Sequence, residues 1–201
     1  MAPLSKIQRG HYGRCGTCRL IVLENRDHLS ESAARARYET HRNDPKDPGY
    51  RKFFEPLVDA LSARLKAPAR ILDYGTGTAS ALPGMLGERG YILRTYDPLF
   101  RPDVESLAER YDAVTCTETF EHFSQPAREF DKLQSLLRPG GVLAVMTLLL
   151  QPGQDFATWW YREDPTHVAF YEEETLRWIA GHWRWKIEIL SSRLMLFSKQ
   201  S

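Results

Sequence analysis

The sequence predicts an α/β fold on a mostly parallel sheet that closes with an antiparallel hairpin. Three observations carry this reading. From residue 69 onward, short apolar runs alternate with helix-compatible stretches, the pattern of parallel strands joined by crossover helices. The first run, 69–74, ends in a Gly75-Thr76-Gly77 bend, where missing Cβ atoms open the backbone to a close neighbour. The last two apolar runs, 185–190 and 194–198, are separated only by Arg193 and the turn residues Ser191-Ser192, the layout of a hairpin.

Residues 1–27 read as a degenerate hairpin. Cys15-Gly16-Thr17-Cys18 sits on a turn ahead of the apolar run Leu20-Ile21-Val22-Leu23. A CxxC turn resembles one knuckle of a zinc ribbon, but tetrahedral zinc takes four ligands and only His11 stands nearby as a third. The other reading is a plain hairpin with two free thiols. Residues 28–67 read as a helical lid. Ser30 caps a first helix over 31–40, a proline-broken polar loop spans 41–50, and a second helix carries Phe53, Leu57, Leu61 and Leu65 at i, i+4 spacing. Tyr38, His41, Asn43 and Tyr50 are placed either to close over a ligand or to satisfy the loop itself.

Residues 68–201 form the main domain, with strands expected at 69–74, 91–96, 111–116 and 142–147. Helices are expected over 80–89, behind the glycine bend, and over 125–137, stopped by Pro139-Gly140-Gly141. The 13 residues between Asp97 and Tyr111 hold a loop and one short helix over 104–110, too little chain for a further strand and its crossover. A long irregular segment with Trp159, Trp160 and Tyr161 follows the 142–147 strand, then a helix over 172–182. The three aromatics read either as the wall of an acceptor pocket or as core.

Bulk properties exclude several classes. A chain of 201 residues suits one domain with a small appendage, and a net charge of +1 gives no general attraction to nucleic acid or an anionic membrane. No apolar run reaches membrane-spanning length and no signal-peptide pattern opens the chain, so a cytoplasmic location is expected. The three cysteines fit that expectation.

Two acids frame the glycine bend. Asp73 ends the first strand, and Asp97, 20 residues after Gly77, ends the second, where a carboxylate can accept bonds from ribose hydroxyls. Together with Tyr111-Asp112-Ala113-Val114-Thr115-Cys116-Thr117-Glu118-Thr119-Phe120-Glu121-His122-Phe123 and Leu136-Leu137-Arg138-Pro139-Gly140-Gly141, these segments resemble the class I S-adenosylmethionine (SAM)-dependent methyltransferases over 69–198. The resemblance implies a Rossmann-like fold whose usual third strand is missing here. It also implies SAM as cofactor, held by Asp73, Tyr74, Gly75, Thr76, Gly77, Asp97, Pro98, Thr117 and Glu118, with Leu99 and Phe100 beside the adenine. Ala79 stands where the family loop usually has a third glycine. The N-terminal part resembles a bacterial subgroup in which a zinc-ribbon-like knuckle precedes the catalytic domain.

Glu118-Thr119-Phe120-Glu121-His122 falls past the end of the 111–116 strand, where ligands of such sheets bind. On a helical turn, Glu118, Glu121 and His122 share one face, and His167 from the later loop is a fourth candidate ligand for a divalent ion. Small-RNA 2′-O-methyltransferases and a quinone-pathway O-methyltransferase carry a similar Glu-x-x-Glu-His metal site. The metal-free alternative makes His122 the general base and Glu118 a substrate or cofactor contact; a helix cap with a packed histidine is the third. The expected function is methyl transfer to an oxygen or nitrogen of a small molecule. A non-catalytic SAM-binding module and a nucleic-acid methyltransferase are the alternatives, and a nicotinamide oxidoreductase would need a second nucleotide-binding half in place of the hairpin.

Overall fold

The computed structural model describes residues 1–3, 10–40 and 43–200. Strand β1 (Ala2–Pro3) pairs antiparallel with β2 (Tyr12–Arg14), and β2 forms a hairpin with β3 (Ile21–Leu23). The turn between β2 and β3 carries Cys15 and Cys18 as free thiols, with Arg19 in the left-handed region at φ 64°. His11 does not join them, because its Nδ1 pairs with Asp27 Oδ2 at 2.8 Å.

Helix α1 (Glu31–Glu39) starts at Ser30, whose Oγ accepts from the Ala33 amide at 3.3 Å. It buries none of its residues. Helix α2 (Pro48–Ser62) starts at Asp47, which accepts from the Tyr50 amide at 2.6 Å, with Pro48 in the first turn. Its buried face is Phe54, Leu57, Val58 and Leu61, so the expected stripe is rotated. Phe53 and Leu65 pack only at its margin, and Leu65 lies beyond the last turn. His41 lies outside the described residues.

Strand β4 (Arg70–Tyr74), helix α3 (Leu82–Glu88) and strand β5 (Ile92–Tyr96) form the first crossover. Strand β6 (Tyr111–Thr117), helix α4 (Pro126–Leu136) and strand β7 (Leu137–Met146) form the second. Strand β8 (Ala169–Phe170), helix α5 (Glu173–His182) and the hairpin β9 (Trp185–Ile189)–β10 (Leu194–Lys199) complete the chain. The main sheet runs β5-β4-β6-β7-β10-β9, parallel from β5 to β7, with β10 antiparallel to both β7 and β9. No strand lies beyond β5 among the described residues. The expected helix after Asp97 is a 3-10 turn, Val104–Ala108, and a bridge between Asp97 and Arg101 folds the chain back.

Two boundaries differ from expectation. Helix α3 begins at Leu82 rather than at residue 80, so 78–81 form a loop between the glycine bend and the helix. The strand expected at 142–147 begins at Leu137, because Leu137 already pairs with Tyr111, and Pro139-Gly140-Gly141 takes up the register shift that follows.

Apolar clusters fill both faces of the sheet. Leu57, Leu61, Leu82 and Leu86 pack against Ile71 and Val142 under α2 and α3. Phe130, Leu133 and Leu176 pack against Leu72, Val114 and Phe197 under α4 and α5. A third cluster joins Tyr12, Ile21 and Leu23 of the N-terminal hairpin to Phe156, Trp159, Tyr161 and Phe170. Strand β3 pairs with β8, so the hairpin braces the segment that carries His167. None of the described helices is long and apolar enough to cross a membrane.

Candidate active site

The C-terminal ends of β4, β5 and β6 open into one cavity of about 890 Å³, at the upper end of the range for small-molecule sites. Tyr74, Gly75, Thr76, Gly77, Asp97, Pro98, Thr117, Glu118, Glu121, His122 and His167 all line it. Asp73 does not. It lies buried just below, where Thr115 Oγ1 donates to its Oδ1 at 2.8 Å and its Oδ2 has no hydrogen-bond partner. Burial pushes this carboxyl above its ordinary pKa.

The two loop glycines do different work. Gly75, at φ 81°, could not carry a side chain, because a Cβ there would come within 2.4 Å of Thr119 Cγ2 and Oγ1. Its bare backbone therefore seats the segment after β6. At Gly77, φ 65°, a Cβ would meet nothing within 4 Å, so the space beside it is open to a ligand. Asp97 fixes this loop. Its Oδ2 accepts from the Gly77 amide at 2.9 Å, and its Oδ1 from the amides of Leu99 and Phe100 at 2.9 and 3.0 Å. An open glycine and a locked carboxylate at the next strand tip fit an adenosyl ligand.

The opposite wall is made of side chains. Glu118 follows β6 at φ 48°, a left-handed conformation that strains a residue with a Cβ. Arg193, from the turn of the β9–β10 hairpin, donates to its two oxygens at 2.8 and 2.7 Å. The same guanidinium lies over the rings of Phe53 and Tyr161, at 5.6 and 5.8 Å. Burial and the neighbouring Glu121 push the Glu118 carboxyl up to about 7, with Arg193 opposing them.

The helical turn expected to align Glu118, Glu121 and His122 is a 3-10 turn, Phe120–His122, and Glu118 precedes it. The ligand set therefore divides. Glu121, His122 and His167 each offer one atom, all within 4.8 Å of one another, whereas Glu118 is not part of that group and is drawn to Arg193. Glu121 is fully buried, accepting from Tyr161 Oη at 2.6 Å and from Thr147 Oγ1 at 2.7 Å. His122 Nδ1 donates to the Thr166 carbonyl at 2.9 Å and His167 Nδ1 to the Tyr161 carbonyl at 2.6 Å. A carbonyl only accepts, so both protons sit on Nδ1 and both Nε2 lone pairs are left for a ligand or a proton. Burial lowers the pKa of each imidazole, that of His167 to about 4 with His122 adding to the effect. Both are therefore neutral near pH 7.

Helix α1 lies across the mouth. Arg35 donates to the Leu99 carbonyl at 2.9 Å and stacks on Phe100, Arg37 pairs with Asp164 at 2.6 Å, and the Tyr38 ring meets Phe100 and His122 edge to face. The Trp159-Trp160-Tyr161 run splits between its two readings. Trp159 is core, Trp160 is exposed at the cavity rim, and Tyr161 is buried with its hydroxyl on Glu121. Sequence reasoning missed Arg193, Thr147 and Arg37, whose partners lie 75, 26 and 127 residues away along the chain and leave no local signal.

A family described as a methyltransferase domain matches residues 47–183. The fold resembles that of 1,6-didemethyltoxoflavin-N1-methyltransferase from Burkholderia thailandensis, solved with 1,6-didemethyltoxoflavin and S-adenosylhomocysteine. That match has a TM-score of 0.61 and 16% identity, covering 91% of this chain and 96% of the other. It also resembles phosphoethanolamine N-methyltransferase 2 from Haemonchus contortus, solved with SAM (TM-score 0.56, 14% identity, 80% and 44% covered). A third is an O-methyltransferase family protein from B. thailandensis (TM-score 0.52, 16% identity, 75% and 57% covered). No curated protein matches the chain in sequence. With a family match over more than half its length and the cradle that such a family needs, the chain belongs to the SAM-dependent methyltransferases.

Proposed function

We propose that this enzyme moves the methyl group of SAM to an oxygen or nitrogen of a small molecule, with His122 as the general base. One observation carries the reading: a neutral imidazole, its Nδ1 spent on the Thr166 carbonyl, faces the same cavity as the cofactor loop. An O–H or N–H acceptor must lose its proton as the methyl arrives, and a buried Nε2 lone pair takes it. In-line transfer also needs the acceptor held against the sulfonium, and a walled cavity supplies that constraint. SAM supplies an electrophilic methyl group. Asp97 and the Gly75–Gly77 backbone bind its ribose and chain, Asp73 steadies the methionine end, and Glu118 contacts cofactor or acceptor. Helix α1 serves as a lid, tying Leu99 and Phe100 to Asp164 through two arginines. The neighbour solved with 1,6-didemethyltoxoflavin and S-adenosylhomocysteine supports the small-molecule class.

The cluster of Glu121, His122 and His167 favours a second reading, in which a divalent ion joins these three groups and polarises an acceptor oxygen. Its two imidazoles carry the Nδ1-to-carbonyl bonds usual in metal-ligating histidines. Calorimetry with S-adenosylhomocysteine tests the cofactor assignment, and absence of binding would reject it. Methyl-transfer assays on a panel of phenols, amines and hydroxy acids, with and without manganese and chelator, separate the two readings. Activity indifferent to chelation supports His122 as base, and activity restored only by the ion supports the metal.

A further inference from the structure

Among the described residues, Trp160 is the one large apolar side chain lining the cavity that stays exposed. It begins the 3-10 turn Trp160–Glu163 and is 64% exposed, whereas Trp159 and Tyr161 on either side are 2% and 3% exposed. Both belong to the cluster that joins the N-terminal hairpin to this segment. Arg162 is buried too, its Nε donating to the Ala157 carbonyl at 2.9 Å. The chain is therefore pinned before and after Trp160, and the indole is held out at the rim. An exposed ring of that size forfeits the gain of burial, which a ligand lying on it would recover.

Two further observations bear on what covers the indole. Among the described residues its ring meets one other, that of Tyr161, at 5.5 Å and 81°, so at least one indole face is bare of ring contacts. The charged groups on this side are paired with one another: Arg37 with Asp164, Arg162 with Glu163 and Arg193 with Glu118. The Tyr161 hydroxyl is likewise committed to Glu121. A carboxylate or phosphate on the acceptor would find these arginines already neutralised, whereas a flat ring finds a rigid π face. We infer that Trp160 is the stacking face for the methyl acceptor, and that the acceptor is an uncharged, flat aromatic compound. The inference rests on the methyltransferase reading and narrows its small-molecule class. Ring contacts tie this face to the proposed base: Tyr161 lies 4.4 Å from His167, whose ring is 4.9 Å from that of His122. A saturated acceptor of the same size buries similar area but forgoes the stacking gain.

The test is calorimetry of the full chain, first with S-adenosylhomocysteine and then, with that ligand saturating, with three probes. These are 2-naphthol, its saturated counterpart decahydro-2-naphthol, and 2-naphthoate, which keeps the flat ring but carries a charge. The wild type is expected to bind 2-naphthol roughly 5–10-fold more tightly than the saturated alcohol, the size of one stacked aromatic pair. It should also bind 2-naphthol more tightly than 2-naphthoate. Trp160→Ala should bring the ratio of the two alcohols close to one, and Trp160→Phe, which keeps a ring, should retain most of it. An exposed side chain is replaced in both, and S-adenosylhomocysteine binding by each variant checks that it is folded. Equal binding of the two alcohols by the wild type, or no binding of 2-naphthol beside the bound cofactor product, overturns the inference and leaves the cofactor reading intact. A preference that survives in Trp160→Ala overturns the role of Trp160, and tighter binding of 2-naphthoate overturns the uncharged class. Failure of the wild type to bind S-adenosylhomocysteine rejects the cofactor reading and this inference with it.

Discussion

The two ends of the cavity are built by opposite strategies. The end proposed for the cofactor is local: strand β4, the Gly75-Thr76-Gly77 bend, helix α3 and strand β5 place Asp73, Gly75, Gly77 and Asp97 within 25 residues of one another. Among the described residues, the Asp97 carboxylate there accepts only from backbone amides of its own loop and of the bend. The end proposed for the acceptor is assembled from afar. Glu118, Glu121 and His122 follow β6, Thr147 follows β7, Tyr161 and His167 come from the irregular segment, and Arg193 comes from the hairpin turn. A backbone-built end binds a ligand common to a whole family, because backbone is indifferent to side-chain drift. A side-chain-built end is where an enzyme chooses its acceptor.

The comparison breaks first if the local end tolerates change. Asp97→Ala leaves the amides of Gly77, Leu99 and Phe100 without their acceptor and removes the proposed ribose partner. Each such bond to a charged group contributes about 1.5–3 kcal/mol, so cofactor affinity should fall by roughly 1000-fold or more. Calorimetry with S-adenosylhomocysteine measures it, and a loss under tenfold would show that the loop holds itself. At the other end, His122→Gln keeps a group able to donate to the Thr166 carbonyl but offers no basic nitrogen. A fall in kcat of about 100-fold with the cofactor affinity unchanged is expected. Affinity and turnover falling together would mean that the two ends are not separable.

The same contrast governs what the sequence disclosed. The strand tips, the bend, the spacing to Asp97 and the truncated sheet edge were legible because period and punctuation are local properties. Helix α3 started late because Ser80 Oγ accepts from the Leu82 amide, leaving 78–81 as loop, and nothing in its composition marked that. Spacing alone puts Glu118 on one face with Glu121 and His122 if the segment is a helical turn. The Glu118 backbone is left-handed and its carboxylate is held by Arg193, a tertiary contact that overrides the spacing. His167, expected as a fourth candidate ligand, has its ring 4.9 Å from that of His122, but the β3–β8 pairing that braces its segment has no signal in either strand.

Buried neutral imidazoles sharpen the comparison through pH. His167 has its folded pKa lowered to about 4, so below the unfolded value of 6.5 the unfolded chain takes up a proton that the native one refuses. Stability from this group is therefore lost as pH falls from 6.5 toward 4, by roughly 3 kcal/mol over the whole window. Glu118, Glu121 and Asp164 titrate around it in both proteins, so the quantity to read is the difference between wild type and His167→Gln. In urea unfolding at pH 7, 6, 5 and 4, the wild type should lose stability relative to the variant at each step. A constant difference would mean that His167 is solvated and that the acceptor end is wetter than its packing implies.

Arg193 gives the smallest and most discriminating effect, because its hydrogen bonds reach the site through Glu118. Its guanidinium opposes the burial and the Glu121 charge that push the Glu118 carboxyl up to about 7. Arg193→Ala removes that opposition, so the carboxyl rises further and is more protonated at neutral pH. It also strips the stack from Phe53 and Tyr161. If an ionised Glu118 serves the reaction, kcat/KM at pH 7 should fall about tenfold, because the ionised fraction shrinks, and recover as pH rises past the new pKa. Arg193→Lys restores the charge but not the forked geometry, and should recover the pH profile more fully than the maximal rate. A profile that falls uniformly, with its acid limb unmoved, would place Arg193 in packing alone and leave Glu118 without a charge-dependent role.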